Sequence, residues 1–364
     1  MKIIQIMPEF GLAGAEIMCE NLTYELTKKG QDVVIISLYD YHSAITERLE
    51  KSGVKIEYLS KKTGLDFSMI SKIKKILNRE KPDVVHTHRY VMQYAIPAAI
   101  LAGIRVRVHT VHNVAKKEND KIARIAAKIF YKFCHVVPVA LSDEIKTTIL
   151  EEYRLPSEKV PVILNGIDLT RCIPKKSYEI IDKLKILHIG RFSEQKNHKG
   201  LIQAFKIFHD EYPNSELQLI GEGDLLASIQ EMVKLNNLQD CVKFLGLKKN
   251  VYTYLHDADI FILPSLYEGI PMTLIEAMGT GLPVIATKVG GVSDMIMNKE
   301  NGMLCDLDSM SIFKQLQILL NDKALREHCG KTALKISDKY SSEKMAENYL
   351  AIYRDRREKR GRGK

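Results

Sequence analysis

The sequence predicts an α/β protein of two doubly wound domains facing an interdomain cleft. Three observations carry that expectation. At 364 residues the chain is too long for one ordinary core and suits two. Short apolar runs alternate with amphipathic stretches in both halves, and parallel strands need crossover helices to join them. Several of the runs end in glycine or polar residues, where ligands collect at the carboxyl edge of an open sheet. The N-terminal domain is expected to take residues 1–166 together with 342–364, and the C-terminal domain residues 167–341.

Hydrophobic residues at 45% and charged residues at 27% are those of a globular chain made for water. No apolar run approaches the length of a bilayer-spanning helix, the longest lying near Ala95 to Ile104. The opening MKIIQIMP reads as a strand and loop, not a signal peptide. Six cysteines are scattered with no Cys-x-x-Cys pair or metal-ligand spacing, so a reduced, cytoplasmic location is expected. A net charge of +9 favours anionic partners. No zinc-finger, RRM or basic-zipper signature accompanies it, so an anionic membrane or phosphorylated lipid is preferred to nucleic acid.

Lys2 to Met7 reads as a strand leading into Gly11-Leu12-Ala13-Gly14-Ala15-Glu16 and a helix through Lys29. Two glycines at such a turn let backbone approach a ligand closely, and the helix start supplies N–H donors; a tight turn alone is the competing reading. Strands follow at Asp32–Leu38 and Val54–Leu59, then a helix over 67–80. Lys81 to His88 is a buried strand ending in polar residues. No third metal ligand is spaced to join His86 and His88, which are read as structural or acceptor-side. Arg105 to His112 is the next strand, with His109 and His112 toward its end.

From Lys117 to Phe133, Lys117, Lys121, Arg124, Lys128 and Lys132 share one helical face, and Ile122, Ile125, Ile129, Phe130 and Phe133 another. One reading packs the apolar face on the core and leaves the lysines in solvent. The other sets a basic surface against an anionic bilayer. Val136–Ala140 and a helix opened by Ser142-Asp143 complete the domain. Val160 to Leu164 leads to Asn165-Gly166-Ile167-Asp168, a turn signal, and residues 174–183 read as linker.

The second half restarts at Lys185 to Arg191. Arg191 at a strand's carboxyl end can grip phosphate oxygens bidentately, and Lys196 one loop later adds a point charge. Further strands are expected at Glu216–Ile220, ahead of Gly221-Glu222-Gly223, and at Val242–Gly246. The most informative stretch is LPSLYEGIPMTLIEAMGTGLPVIATKVGG, from Leu263 to Gly291. It follows the apolar run Ile260–Leu263 and reads as loop, helix over 272–278 and a new strand from Pro283. Pro271 suits the first turn of that helix, and Gly279 and Gly281 stop it.

Glu268 and Glu276 are spaced E-x7-E beside a helix start whose free N–H groups suit a phosphate. Carboxylates beside such a site make sense as acceptors from sugar and ribose hydroxyls. A capping acid and a solvated helix glutamate are the alternative. Gly302 to Leu304, a helix over 309–321 and a last helix over 342–353 follow. The basic stretch 354–364 is read as disordered, serving as a membrane contact or a solubilising tail.

Taken together, EGIPMTLIE from Glu268 to Glu276, then AMGTGLPVIAT and Gly290-Gly291, resemble the donor-binding signature of the retaining glycosyltransferases of family 4. Those enzymes have the GT-B architecture of two Rossmann-like domains. Gly11-x-x-Gly14-Ala15-Glu16, the strand ending His86-x-His88, His112, Asn165-Gly166-Ile167-Asp168, Gly190-Arg191 with Lys196, and Gly221-Glu222-Gly223 resemble further family motifs in chain order. The resemblance implies donor binding by Gly14, Arg191, Lys196, Glu268, Gly269, Ile270, Met272, Thr273 and Glu276. It implies catalytic roles for His112, Arg191, Lys196 and Glu268. Arg191, Lys196 and the helix start would stabilise the departing diphosphate, Glu268 would hold sugar hydroxyls, Glu276 the ribose, and His112 the sugar itself. The family commonly has Asp where this chain has Asn113, which supplies no charge.

The implied activity moves a hexose or N-acetylhexosamine from a nucleoside diphosphate sugar, expected to be UDP-linked, to an acceptor hydroxyl. The expected acceptor is a lipid-linked saccharide of cell-surface polysaccharide synthesis. Transfer would be retaining, by front-face attack, with no cofactor and no metal. The enzyme would be cytoplasmic and peripheral on the inner face of the membrane. The alternatives are a UDP-sugar 2-epimerase of the same architecture and a nucleotide-sugar-binding protein without turnover.

Overall fold

A computed structural model describes residues 1–11, 14–118 and 121–361. The chain divides into two compact units, Met1–Gly166 with Ser342–Lys364, and Ile167–Ser341.

The first unit alternates strand and helix: β1 (Lys2–Met7), α1 (Gly14–Lys28), β2 (Asp32–Ser37), α2 (Ala44–Lys51), β3 (Lys55–Tyr58), α3 (Ser68–Glu80), β4 (Val84–His88), α4 (Met92–Leu101), β5 (Val106–Val111), α5 (Ala115–Glu118), α6 (Lys121–Phe133), β6 (Val136–Ala140) and α7 (Asp143–Tyr153). The six strands are parallel in the order β3-β2-β1-β4-β5-β6, with Ile3 opposite both Val33 and Val84. Strand side chains alternate between faces. Ile3 therefore packs with Met18 and Leu22 of α1, while Ile4 and Ile6 pack with Ile73 and Leu77 of α3 and Ala95 of α4. Both faces are covered, which is why β1, β2 and β6 read as largely apolar runs.

The second unit repeats the pattern: β7 (Leu184–Ile189), α8 (His198–Glu211), β8 (Ser215–Ile220), α9 (Leu226–Leu235), β9 (Val242–Gly246), α10 (Tyr252–Asp257), β10 (Ile260–Leu263), α11 (Met272–Gly279), β11 (Val284–Thr287), α12 (Val292–Met295), β12 (Met303–Cys305), α13 (Ser309–Asn321) and α14 (Lys323–Ser337). Its parallel order is β12-β11-β10-β7-β8-β9. In both sheets the order reverses beside the first strand of the unit, the switch point at which open α/β sheets bind ligands. The last helix, α15 (Ser342–Gly361), belongs to the first unit, where Tyr349 and Tyr353 are buried with Val106, Val108 and Leu22.

The structure corrects the sequence reading in several places. Residues 354–361 are helical and not disordered: Lys359 pairs with Asp355 at 2.8 Å and Arg357 with Asp83 at 3.2 Å, so acidic partners hold the basic turn. Residues 362–364, the rest of the expected tail, lie outside the described residues, as do Leu12, Ala13 and the side chain of Lys117. Ahead of the turn at residues 165–168, Val162 makes an isolated parallel bridge to Ala140. Residues 174–183 lack regular structure but are pinned, with the Lys175 ammonium on the carbonyls of His256 and Ala258 and the Tyr178 hydroxyl on Gly281.

The core-facing reading of residues 117–133 fails for the isoleucines. Ile122, Ile125, Ile129 and Phe133 are 80%, 64%, 47% and 73% exposed. The buried side of α6 is formed by Ala127 and Tyr131, with Tyr131 edge-on to Tyr153 at 5.1 Å. A short alanine and a tyrosine that fits a waiting aromatic bring the helix closer than branched aliphatics would. All six cysteines are free thiols. No helix of the described residues is long and apolar enough to cross a membrane.

Candidate active site

The carboxyl ends of β7 and β10 bring two of the expected residues together. Lys196 Nζ lies 2.5 Å from Glu268 Oε1, and their side chains are only 16% and 6% exposed. Ser265 Oγ donates to the same carboxylate oxygen at 2.6 Å, and Gln195 Nε2 reaches Oε2 at 3.4 Å. Glu268 therefore does not cap α11 as its position suggests. It stands three residues before Pro271, the N-cap, and the nearby ammonium and hydroxyl take its oxygens.

The start of α11 is left open. Pro271 is the N-cap itself and not part of the first turn, is extended at φ −75°, and offers no side-chain cap. Among the described residues, the N–H groups of Met272 and Thr273 bond nothing, and Thr273 Oγ1 is buried without a partner. Unpaired donors at a helix start carry partial positive charge and suit an anion. Backbones crowd here: a Cβ on Gly291 would overlap the Gly269 carbonyl, and one on Gly221, at φ +144°, would overlap that of Gly190. Ile270 is half-buried beside them.

Glu276 sits one turn into α11, its Oε1 accepting from the Tyr252 hydroxyl at 3.2 Å. Burial pushes this carboxyl up to about 7, against the opposing pull of Tyr252 and Arg171. The Arg171 guanidinium lies over the Tyr252 ring at 4.7 Å. Arg191 stands apart from this group, exposed and 3.5 Å from Asp224. A cavity of about 300 Å3 lined by Lys175, Lys185 and Asp259 opens at the amino ends of β7 and β10, the opposite sheet edge from Lys196 and Glu268.

In the first unit, the carboxyl ends of β4 and β5 hold a buried polar cluster. His112 Nε2 is 3.1 Å from His88 Nδ1, and His88 Nε2 is 3.1 Å from Gln5 Oε1. His86 is held between Thr110 at 2.8 Å and Tyr353 at 2.7 Å, which marks it as structural. Arg89, in the left-handed region at φ +55°, pairs with Glu16 of α1 at 2.5 Å. Gly14 opens α1, and among the described residues nothing lies within 4 Å of where its Cβ would be.

Asn113 Oδ1 accepts from the Val114 N–H at 2.8 Å. The acid at this edge is Glu118, whose Oε1 accepts from the His112 N–H at 3.3 Å. Burial raises its carboxyl to about 7, opposed by the His112 and Asn113 N–H groups and by Arg89. Glu118, Gln5, Tyr252, Ser265 and Gln195 all escaped the sequence reading. Only Gln195, beside Lys196, and Ser265, two residues beyond β10 and inside the stretch from Leu263 to Gly291, stood with a recognised motif.

Two doubly wound parallel sheets of this order give the GT-B architecture. The model of Glycosyltransferase Family 4 matches residues 12–171 and that of Glycosyl transferases group 1 matches residues 173–336; the chain belongs to this glycosyltransferase family. It is 31% identical over 311 residues to N-acetyl-alpha-D-glucosaminyl L-malate synthase of Bacillus anthracis, covering 80% of this chain and 79% of that one. It is 29% identical over 308 residues to UDP-Gal:alpha-D-GlcNAc-diphosphoundecaprenol alpha-1,3-galactosyltransferase of Escherichia coli, covering 80% of each. A solved glycosyltransferase from Rickettsia africae superposes with a TM-score of 0.84 at 18% identity over 98% of each chain. Anabaena HepE, solved with UDP and glucose, gives 0.81 at 18% identity over 96% of this chain and 98% of its own. Those two likenesses concern the fold.

Proposed function

We propose that this glycosyltransferase is retaining and metal-independent, and moves a hexose or N-acetylhexosamine from a UDP-sugar to a hydroxyl of a lipid-linked saccharide. The observation that carries the donor half is the open start of α11 beside the Lys196–Glu268 pair. It offers unpaired N–H groups, an orphan Thr273 hydroxyl and an ammonium to a diphosphate, and a carboxylate to sugar hydroxyls. Expelling the diphosphate is the costly step. Lys196 and the helix start stabilise its charge, and Arg191, exposed at the end of β7, adds a bidentate grip once ligand arrives. Glu276 accepts from the ribose. Gly14, Gly269, Ile270 and Met272 admit the donor through their backbones, and His112 contacts the sugar. The leaving phosphate assists deprotonation of the acceptor on the same face, which retains configuration.

The nucleotide and acceptor draw support from the relatives: the Escherichia coli enzyme is named for UDP-Gal and a diphosphoundecaprenol acceptor. The exposed stripe of α6 supports a lipid-linked acceptor here. At roughly 100° per residue, Ile122, Ile125, Ile129 and Phe133 form one line, and Lys121, Lys128 and Lys132 run beside it. Apolar side chains flanked by lysines suit insertion into an anionic membrane surface on the cytoplasmic side.

The test is thermal stabilisation by UDP-, GDP- and ADP-sugars, followed by transfer to a polyprenyl-diphosphate saccharide in EDTA. Stabilisation by UDP-sugars and transfer in EDTA are expected. No shift with any nucleotide sugar would refute the donor reading, and consumption of UDP-sugar without an acceptor would point to the epimerase.

A further inference from the structure

Two histidines at the ends of β4 and β5 are joined to Gln5 of β1 by hydrogen bonds whose partners leave each ring a single tautomer. The Gln5 amide is oriented first. Thr23 Oγ1 donates to the Cys19 carbonyl at 2.7 Å, so that oxygen accepts from Gln5 Nε2, also at 2.7 Å. Gln5 Oε1 then faces the other way, accepting from Cys19 Sγ at 3.3 Å and standing 3.1 Å from His88 Nε2. A flipped amide would set its oxygen against the lone pairs of Thr23. An amide oxygen has no proton to give, so His88 carries its proton on Nε2.

The neighbouring ring follows. Burial holds His88 well below the usual histidine range and takes His112 down to about 3, with Arg89 adding to the effect on His112. Both rings are therefore neutral near pH 7. Neutral His88 with its proton on Nε2 only accepts at Nδ1, which lies 3.1 Å from His112 Nε2. His112 must donate from Nε2, and its Nδ1 is bare. Among the described residues nothing bonds that nitrogen.

We propose that Gln5 and His88 are positioning residues: they hold His112 in its Nε2–H form, so that Nδ1 accepts a hydrogen bond from a hydroxyl of the transferred sugar. This rests on the sugar contact assigned to His112 above and gives it a direction. A bare ring nitrogen attracts a hydroxyl proton and repels an anionic oxygen, so His112 reads the sugar and not the diphosphate. The relay also ties His112 to α1, since Cys19 and Thr23 lie on the helix that Gly14 opens. Tyr349 and Tyr353 wall the neighbouring His86 from the other side.

The experiment uses the full chain labelled with 15N-histidine. Long-range 1H–15N correlations report which nitrogen of each ring is protonated, with His88→Gln and His112→Ala assigning the two spin systems. Nε2–H on both rings at pH 7 is expected, and Nδ1–H or a charged ring at His112 overturns the relay. Kinetics test its consequence. His88→Gln keeps an oxygen that accepts from His112 and should hold the KM for donor within about threefold, while His88→Leu should raise it about tenfold with kcat little changed, the worth of one hydrogen bond. Equal KM values for the two variants, both folded by circular dichroism, overturn the positioning role. If the tautomers are as stated but His112→Ala leaves the donor KM unchanged, the relay holds and the sugar contact is wrong.

Discussion

Lys196 and Glu268, 72 residues apart in the chain, meet with Nζ 2.5 Å from Oε1 where β7 and β10 end. The contact fixes both side chains. Glu268 holds the ammonium in place, and three neighbours, Lys196, Ser265 and Gln195, hold Glu268. Under the proposed donor role, neither group would need to be reorganised on binding, which is the condition for electrostatic catalysis.

Lys196→Ala is expected to lower kcat about 100-fold, the cost of removing one group aimed at developing charge. It should also destabilise the second unit by about 1–3 kcal/mol, because Glu268 keeps its burial and loses a charged partner. Single-turnover transfer and urea melts measure the two. Unchanged transfer at subsaturating donor would remove Lys196 from the mechanism.

Glu276 should make stability fall as pH rises. Its carboxyl, raised from 4.5 to about 7 in the folded chain, binds its proton more tightly there than when unfolded. The contribution is fully present below the lower value and lost as pH rises through about 7, on the order of 1–3 kcal/mol for a half-buried group. Glu118, also raised to about 7, adds a slope of the same sign from the first unit. Urea melts at several pH values should show a shallower slope in Glu276→Gln. An identical slope would mean that Glu276 titrates normally.

Donor binding should release a proton. Ribose hydroxyls donating to Glu276 favour its charged form and pull the carboxyl back down. Calorimetry at about pH 6.5 in buffers of different ionisation enthalpy should reveal that release, and Glu276→Gln should abolish it. Binding enthalpies independent of buffer in the native chain would remove the ribose contact.

Gly221→Ala should destabilise the carboxyl edge of the second sheet. The residue sits at φ +144°, and its missing Cβ is the space that the Gly190 carbonyl occupies. A loss of at least about 2 kcal/mol is expected in urea, since strain and overlap act together.

Ile125→Glu with Phe133→Glu should leave stability within about 0.5 kcal/mol, because both side chains are already exposed. Co-sedimentation with anionic vesicles should be lost, while deletion after Tyr353 serves as the comparison for the basic end of α15. Retained binding in the double variant would turn attention to that end.

Much of the fold was legible in the residues alone. Strands β1, β6, β9 and β10 and helix α13 run between the residues that pattern and glycine stops indicated; for β1, β6 and β10 the reason is that strands buried on both faces are largely apolar. Helix α4 was not legible as a helix: it is apolar on nearly every side and contains Pro97, so no period announces it. Helix α2 begins with a Ser43–Thr46 capping box, a weaker signal than serine followed by glutamate.

What the sequence alone determined was therefore the class of fold, the family, and the short motifs at the carboxyl edges of the strands. These depend on local spacing and on residues adjacent in the chain. Tertiary structure alone decided which groups meet: Glu268 with Lys196, Glu276 with Tyr252, Gln5 with His88, and Glu118 where an aspartate was missing. It also decided that α6 turns its isoleucines outward and that α15 continues to Gly361. Periodicity shows that a helix has two faces, but the shape of what lies beneath selects the one that is buried.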